Sequence, residues 1–308
     1  MKETNDNFIM LPTVDFCFKE LMMNPKVRTG FIAALLDLPP SEVQETEVLP
    51  TELPRGSEDE KLGILDVFVK MMDGTQINLE MQVQFFAFWD SRILFYLSKM
   101  FSGQLHRGES YDRLRKCIHV SILDFNRFDD SECYHIVRFY DGKTKELYSD
   151  LLELQFLELK KLPPEAQSEK GIIRWMRFLH GKTRKEFEEM AGTDEYMDEA
   201  YQTLIHLSAD EKKRLEYEVR EKALRDYNSQ MKSAKQEGRA EGIALGRTQG
   251  FAEGKTEGKA EGKAAAIKVI QLKLQGKAPQ EIADICNLPI EEVQEISQAL
   301  SPLPEYEP

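Results

Sequence analysis

An α/β core followed by an α-helical C-terminal extension is the fold class that the sequence predicts. Three patterns predict it. Amphipathic helical segments and β-prone runs alternate over about the first 160 residues. An Asp-Gly pair between two apolar-alternating runs, within "GILDVFVKMMDGTQINLEMQVQ" at 63–84, signals a β-hairpin. From "EKGIIRWMRFLHG" onward the periodicity is helical.

Taken in order, "TVDFCFKELMMN" at 13–24 opens with Thr13 and Asp15 as capping candidates and sets Phe16, Leu21 and Met22 near one helical stripe. A second short helix, "VRTGFIAALLDL", should end before Pro39 and Pro40. "EVQETEVLPTEL" is β-prone and Pro-punctuated, and the hairpin follows it. "FAFWDSRILFYLSKMFSGQLHRG" repeats apolar residues at helical spacing from about 88 to 106, and "CIHVSILDF" at 117–125 is a strand rich in Ile and Val. Helix, strand, hairpin, helix, strand gives a mixed central sheet flanked by helices, with one crossover helix. "CYHIVRFYD" and "LLELQFLELKKL" read as further strands around the turn "DGKTKE". Four segments are expected: a core at 1–160, a helical extension at 161–230, a glycine-repeat segment at 231–263 and a small helical tail at 264–308.

The 41% apolar content is that of a globular protein, and 308 residues suffice for a sizeable core plus a smaller appendage. No window approaches the roughly 18 apolar residues of a membrane span, and "MKETNDNFIMLPTVD" has no apolar signal region, so a cytoplasmic protein without membrane partners is expected. Cysteines 17, 117, 133 and 286 lie too far apart for a CxxC metal motif and read as reduced structural thiols. The net charge of −13 is uneven: +5 over 229–277, −7 over 278–308, and so −11 over 1–228. An acidic domain of this kind meets phosphate through local patches or bound cations.

Glycines recur every four residues from Gly238 to Gly262, spaced mostly by Glu, Lys, Arg and Ala. On a helix each step drifts by about 40°. Seven helical glycines cost on the order of 7 kcal/mol relative to alanine. Two readings stand, self-association into a homodimer through this helix or a low-complexity tether. The tail "PQEIADICNLPIEEVQEI" has helix-turn-helix cadence, but its second helix carries Glu291, Glu292 and Glu295 and no basic residue, which favours an interaction module over a DNA reader.

The hairpin is unusual in placing Asp66, Glu80 and Gln82 where strands carry apolar or β-branched residues. For Leu65, Val67 and Val69 to oppose Ile77, Leu79 and Met81, paired residue numbers must sum to an even value, which a three-residue loop Asp73-Gly74-Thr75 provides. Asp66 then pairs with Gln82 and lies diagonal to Glu80, all three on one face. Converging carboxylates repel unless a cation sits between them, and Mg²⁺ suits a site of few carboxylates. The competing reading is a solvent-exposed row with Lys70, Asn78 and Gln84, although Ile64 and Phe68 share that face. Nucleotide-cradling glycines and the GxSxG and HExxH motifs are missing, and histidines 106, 119, 135, 180 and 206 show no ligand spacing. His119, on an apolar strand, reads as a core histidine.

Asp66 followed by "Glu80-Met81-Gln82" resembles the D…(D/E)xK signature of PD-(D/E)XK nucleases in an E-x-Q form. Together with "LPTVDFCFKELM", "SRILFYLSKMFSGQLHRGESYDRL", "LLELQFLELKK" and the glycine-repeat tail, the chain resembles the recombination-promoting nuclease family, also described as PD-(D/E)XK nuclease family transposases. The resemblance covers most of the chain. It implies a restriction-endonuclease-like core and a Mg²⁺-dependent DNA endonuclease serving recombination or mobile-element processes, with DNA as partner. By the same resemblance Asp66 and Glu80 ligate Mg²⁺ and Gln82 replaces the signature lysine. Gln can orient water but cannot supply charge, so another cation is needed. Lys19, in the family-like N-terminal motif, and Arg92 are the candidates. Arg92 and Tyr96, four apart on one helix, either contact DNA backbone or form a packing pair. Asp15 is an accessory partner for the metal or Lys19, or a helix cap. The alternative function is a catalytically degenerate nuclease fold kept as a DNA- or protein-binding module.

Overall fold

The computed structural model of the chain describes residues 8–43, 45–53, 63–164, 171–192 and 194–299. Two compact units divide it, residues 1–225 and 226–308.

In the first unit α1 (Asp15–Met23) and α2 (Pro25–Leu36) come first. Asn24 separates them, its side chain accepting from the backbone N–H groups of Lys26 and Val27 while Pro25 begins α2. The capping candidates of α1 are not used: its N-cap is Val14 and makes no side-chain cap bond. Six strands follow as one mixed sheet, β1 (Thr46–Leu49), β2 (Val67–Met71), β3 (Gln76–Gln82), β4 (Cys117–Leu123), β5 (Tyr134–Tyr140) and β6 (Leu147–Glu158), in the order β1-β2-β3-β4-β6-β5. The β1, β2 and β3 strands are antiparallel neighbours, β3, β4 and β6 run parallel, and β5 closes one edge antiparallel to β6. A parallel step from β3 to β4 requires a crossover, which α3 (Trp89–Ser102) supplies. The mixed α/β fold expected from the residue patterns is therefore present.

Two faces of the sheet bury different cores. Val67, Val69, Ile77, Leu79, Met81, Ile118, Val120 and Ile122 pack with α1, α2 and the later helices α4 (Gly171–His180), α5 (Arg184–Ala191) and α6 (Glu195–Ala209). The opposite face sets Leu65, Phe68 and Cys117 against Tyr96, Leu97 and Met100 of α3. Helices expected as an extension beyond residue 160 thus share one hydrophobic cluster with α1 and the sheet. Gly30 permits the close approach: a Cβ there would lie 2.5 Å from Cβ of Tyr196 and 2.9 Å from Cζ2 of Trp175.

The glycine repeat is helical throughout, lying inside α7 (Glu211–Leu274), 64 residues long. In the second unit, α8 (Pro279–Cys286) and α9 (Ile290–Gln298) bury Ile282, Ala283 and Val293 around Val269 of α7. Residues 300–308 of the expected tail lie outside the described residues. Among the described residues no helix is long and apolar enough to cross a membrane, and all four cysteines are free thiols.

Candidate active site

The hairpin loop fixes where the two carboxylates stand. It has three residues, as expected, but they are Met72-Asp73-Gly74: Met71 N–H donates to Thr75 O at 2.8 Å and Gly74 N–H to Met71 O at 2.9 Å. Glycine is required at the third loop position, where Gly74 has φ +87°, so the loop begins one residue earlier than Asp73-Gly74-Thr75 would place it. Asp73 braces the turn by accepting from Thr75 N and Oγ1. The register consequently pairs Val67 with Leu79 and Val69 with Ile77. Parity is kept, but continuing it by one residue sets Asp66 level with Glu80 rather than with Gln82. Asp66 occupies a bend just before β2, which also breaks the alternation expected of Leu65, Val67 and Val69: Leu65 packs beneath α3 with Phe68.

Glu80 is buried on the α3 side, 2% exposed, whereas Asp66 keeps partial exposure. Each is met by a cation from a different helix. Lys19 Nζ of α1 lies 3.0 Å from Asp66 Oδ1, and Arg92 Nη2 of α3 lies 2.8 Å from Glu80 Oε1. Tyr96, 7% exposed, has its ring in the core beneath α3 and its hydroxyl accepting from Arg92 Nε at 3.1 Å. Arg92 and Tyr96 thus touch each other along α3, the hydroxyl bracing the guanidinium that pairs with Glu80. The Arg92 guanidinium also stacks over Phe86 and Tyr96. Asp15 needs correction. Its carboxylate pairs with Arg220 of α7 at 2.9 Å and serves neither as a helix N-cap nor as a partner of Lys19. The Gln82 side-chain amide donates to the backbone carbonyl of Gln84 at 2.9 Å, and the Gln82 backbone carbonyl accepts from Asp124 N–H, bonds that hold the end of β3.

A buried polar layer beneath Glu80 escaped the sequence reading. Asn78 Nδ2 lies 3.0 Å from His119 Nδ1, and His119 Nε2 lies 3.1 Å from Ser121 Oγ, so the imidazole bridges the two side chains. The β3–β4 register brings this about by pairing Asn78 with His119 and Glu80 with Ser121. Polar residues at every second position of two otherwise apolar strands were the available signal. Burial, and then the Arg92 charge, push the His119 pKa down to about 3, so the ring is neutral. Burial likewise pushes Glu80 up to about 7; Arg92 opposes that rise and the nearby Asp66 adds to it. Glu80 Oε2 is buried with no hydrogen-bond partner, and His119 Nε2 lies 3.8 Å from it.

A hard divalent cation fits this donor set. A buried carboxyl pushed up by burial and by the neighbouring Asp66, and left with an orphaned buried oxygen, is what such an ion relieves. Among the described residues no group of three or more His, Cys, Asp or Glu side chains gathers to cage a metal, so the remaining positions would fall to solvent and substrate oxygen.

No curated protein matches the chain. No solved structure matches it either. A family model described as PD-(D/E)XK nuclease family transposase matches residues 12–234, a span that contains the whole sheet, Lys19, Asp66, Glu80, Gln82 and Arg92. With most of its length matched and a mixed sheet presenting an acidic pair at one hairpin, the chain belongs to the PD-(D/E)XK nuclease family transposases.

Proposed function

We propose that the protein is a divalent-metal-dependent DNA endonuclease, with Mg²⁺ the expected ion, acting in recombination or mobile-element processes. The observation that carries this reading is Asp66 beside Glu80, near enough to push the Glu80 pKa up, each carboxylate with its own cation and Glu80 with an unpaired buried oxygen. Asp66 and Glu80 would hold the metal, which when bound supplies the positive charge that activates water and neutralises the attacked phosphodiester. Lys19, 37% exposed at its side chain and 3.0 Å from Asp66, would take the place left by the absent signature lysine and set its ammonium charge beside a phosphate bound there. Arg92 is held more firmly, by Glu80, Tyr96 and two rings, and acts by keeping the Glu80 carboxylate oriented and ionised. Gln82 fixes the end of β3 through Gln84.

The second reading, a degenerate nuclease fold kept for DNA or protein binding, draws on one observation: both carboxylates are already paired with cations, and Gln82 brings no charge. Supercoiled plasmid incubated with and without Mg²⁺ separates the two. The endonuclease nicks only with the metal, and Asp66→Ala abolishes nicking. An inactive wild type across Mg²⁺, Mn²⁺ and Co²⁺ would count against the endonuclease and favour the binding module.

A further inference from the structure

Helix α7 carries a repeat whose charges cannot be satisfied within the helix. The residue before each of the seven glycines is Glu237, Glu241, Leu245, Gln249, Glu253, Glu257 or Glu261, never a cation. The residue after each is Arg239, Ile243, Arg247, Phe251, Lys255, Lys259 or Lys263, never an acid. The remaining position of every four-residue unit is Ala or Thr. Helical geometry converts this spelling into a smooth glycine row bordered by an acidic ridge on one side and a basic ridge on the other, each about 100° away.

Isolated helices pair opposite charges at i,i+3 or i,i+4. Here the opposite charges stand two residues apart, on different sides of the helix, and the i,i+4 neighbours are like charges: Glu253, Glu257 and Glu261 stack, and so do Lys255, Lys259 and Lys263. Among the described residues none of these side chains has an ion-pair partner. Nor does the chain's own packing require the glycines, since a Cβ at any of the seven would meet nothing within 4 Å. Both the smooth row and its ridges are exposed along the helix.

We infer that α7 pairs with α7 of a second copy of this chain, glycine row to glycine row, in the parallel sense. Symmetry selects the direction. A two-fold axis running along the helices carries the basic ridge of one copy to the side of the acidic ridge of the other, so Glu faces Lys or Arg on both flanks. An axis perpendicular to them, as in an antiparallel pair, sets acid against acid and base against base. Parallel pairing also brings the apolar interruptions together: Leu245 of one copy comes level, within two residues or about 3 Å of rise, with Ile243 of the other. Because the row drifts by about 40° per step, the helices cross in the right-handed sense, as when i±4 rows interdigitate. This pairing stands independently of the nuclease reading.

The test uses the full-length chain. Sedimentation equilibrium should show a dimer for the wild type. A chain carrying Glu253→Lys, Glu257→Lys and Glu261→Lys, and one carrying Lys255→Glu, Lys259→Glu and Lys263→Glu, should each self-associate at least tenfold more weakly, and an equimolar mixture should regain the dimer. Spin labels at Ala240→Cys or Ala264→Cys, in a Cys286→Ser background, read the direction. Parallel pairing gives short distances at both positions, whereas antiparallel pairing about Gly250 separates the labels at 264 by roughly 40 Å along the axis. A monomeric wild type, charge variants that associate as the wild type does, or the long distances would each overturn the inference.

Discussion

Replacing Glu80 with glutamine should stabilise the metal-free protein above neutral pH. Burial raises this carboxyl from its ordinary 4.5 to about 7, so keeping it ionised in the fold costs about 3 kcal/mol relative to the unfolded chain. A raised carboxylate pKa makes the associated stability fully present below pH 4.5 and progressively lost as pH climbs through 7. Glutamine mimics the protonated form, keeps an oxygen for Arg92 and has no such loss. In a unit of this size about 3 kcal/mol corresponds to roughly 6–12 °C in Tm. Thermal unfolding followed by circular dichroism in EDTA should therefore find Glu80→Gln melting higher than the wild type at pH 8 by about that amount. The difference should shrink to near zero at pH 4.5. His119 does not confuse the comparison, because its depressed pKa destabilises both proteins alike as pH falls below 6.5. Equal melting of the two proteins at pH 8 would refute the burial argument and, with it, the strain that a metal is supposed to relieve.

Arg92→Met should cost about 3–5 kcal/mol at pH 8, because it leaves the Glu80 charge buried and unpaired, and less at pH 6, where Glu80 can take up a proton; urea titrations at the two pH values check both magnitude and trend. Gly30→Ala should destabilise by about 1–3 kcal/mol, since the new methyl would press on the Tyr196 Cβ, which cannot swing aside without moving α6; chemical denaturation measures it.

Much of the fold was legible because local pattern and tertiary role agree. The strand at 117–123 is buried along its whole length and spells itself in Ile and Val. The crossover helix shows its apolar stripe, and the hairpin its Asp-Gly pair. What failed was detail that depends on partners distant in sequence. One residue in the loop frame decided whether Asp66 stands level with Glu80 or Gln82, and only the positive φ required of Gly74 settles it. Asp15 looked like a cap or a site residue because Arg220, about 200 positions later, is not visible in local spacing. His119 read as a core histidine, which its burial supports. Its place beside Glu80 follows from the parallel β3–β4 pairing, which no local pattern encodes. The helical extension was recognised as helical, but not as packing into one cluster with α1, because amphipathicity announces a buried face and not what buries it.

The proposed nuclease requires Asp66 and Glu80 to hold one divalent ion together. Titrating Mn²⁺ into metal-free protein at pH 8, with the free ion followed by its electron paramagnetic resonance signal, tests this without requiring turnover. The wild type should show a saturable site that disappears in both Asp66→Ala and Glu80→Gln. Undiminished Mn²⁺ binding in either variant would contradict this requirement.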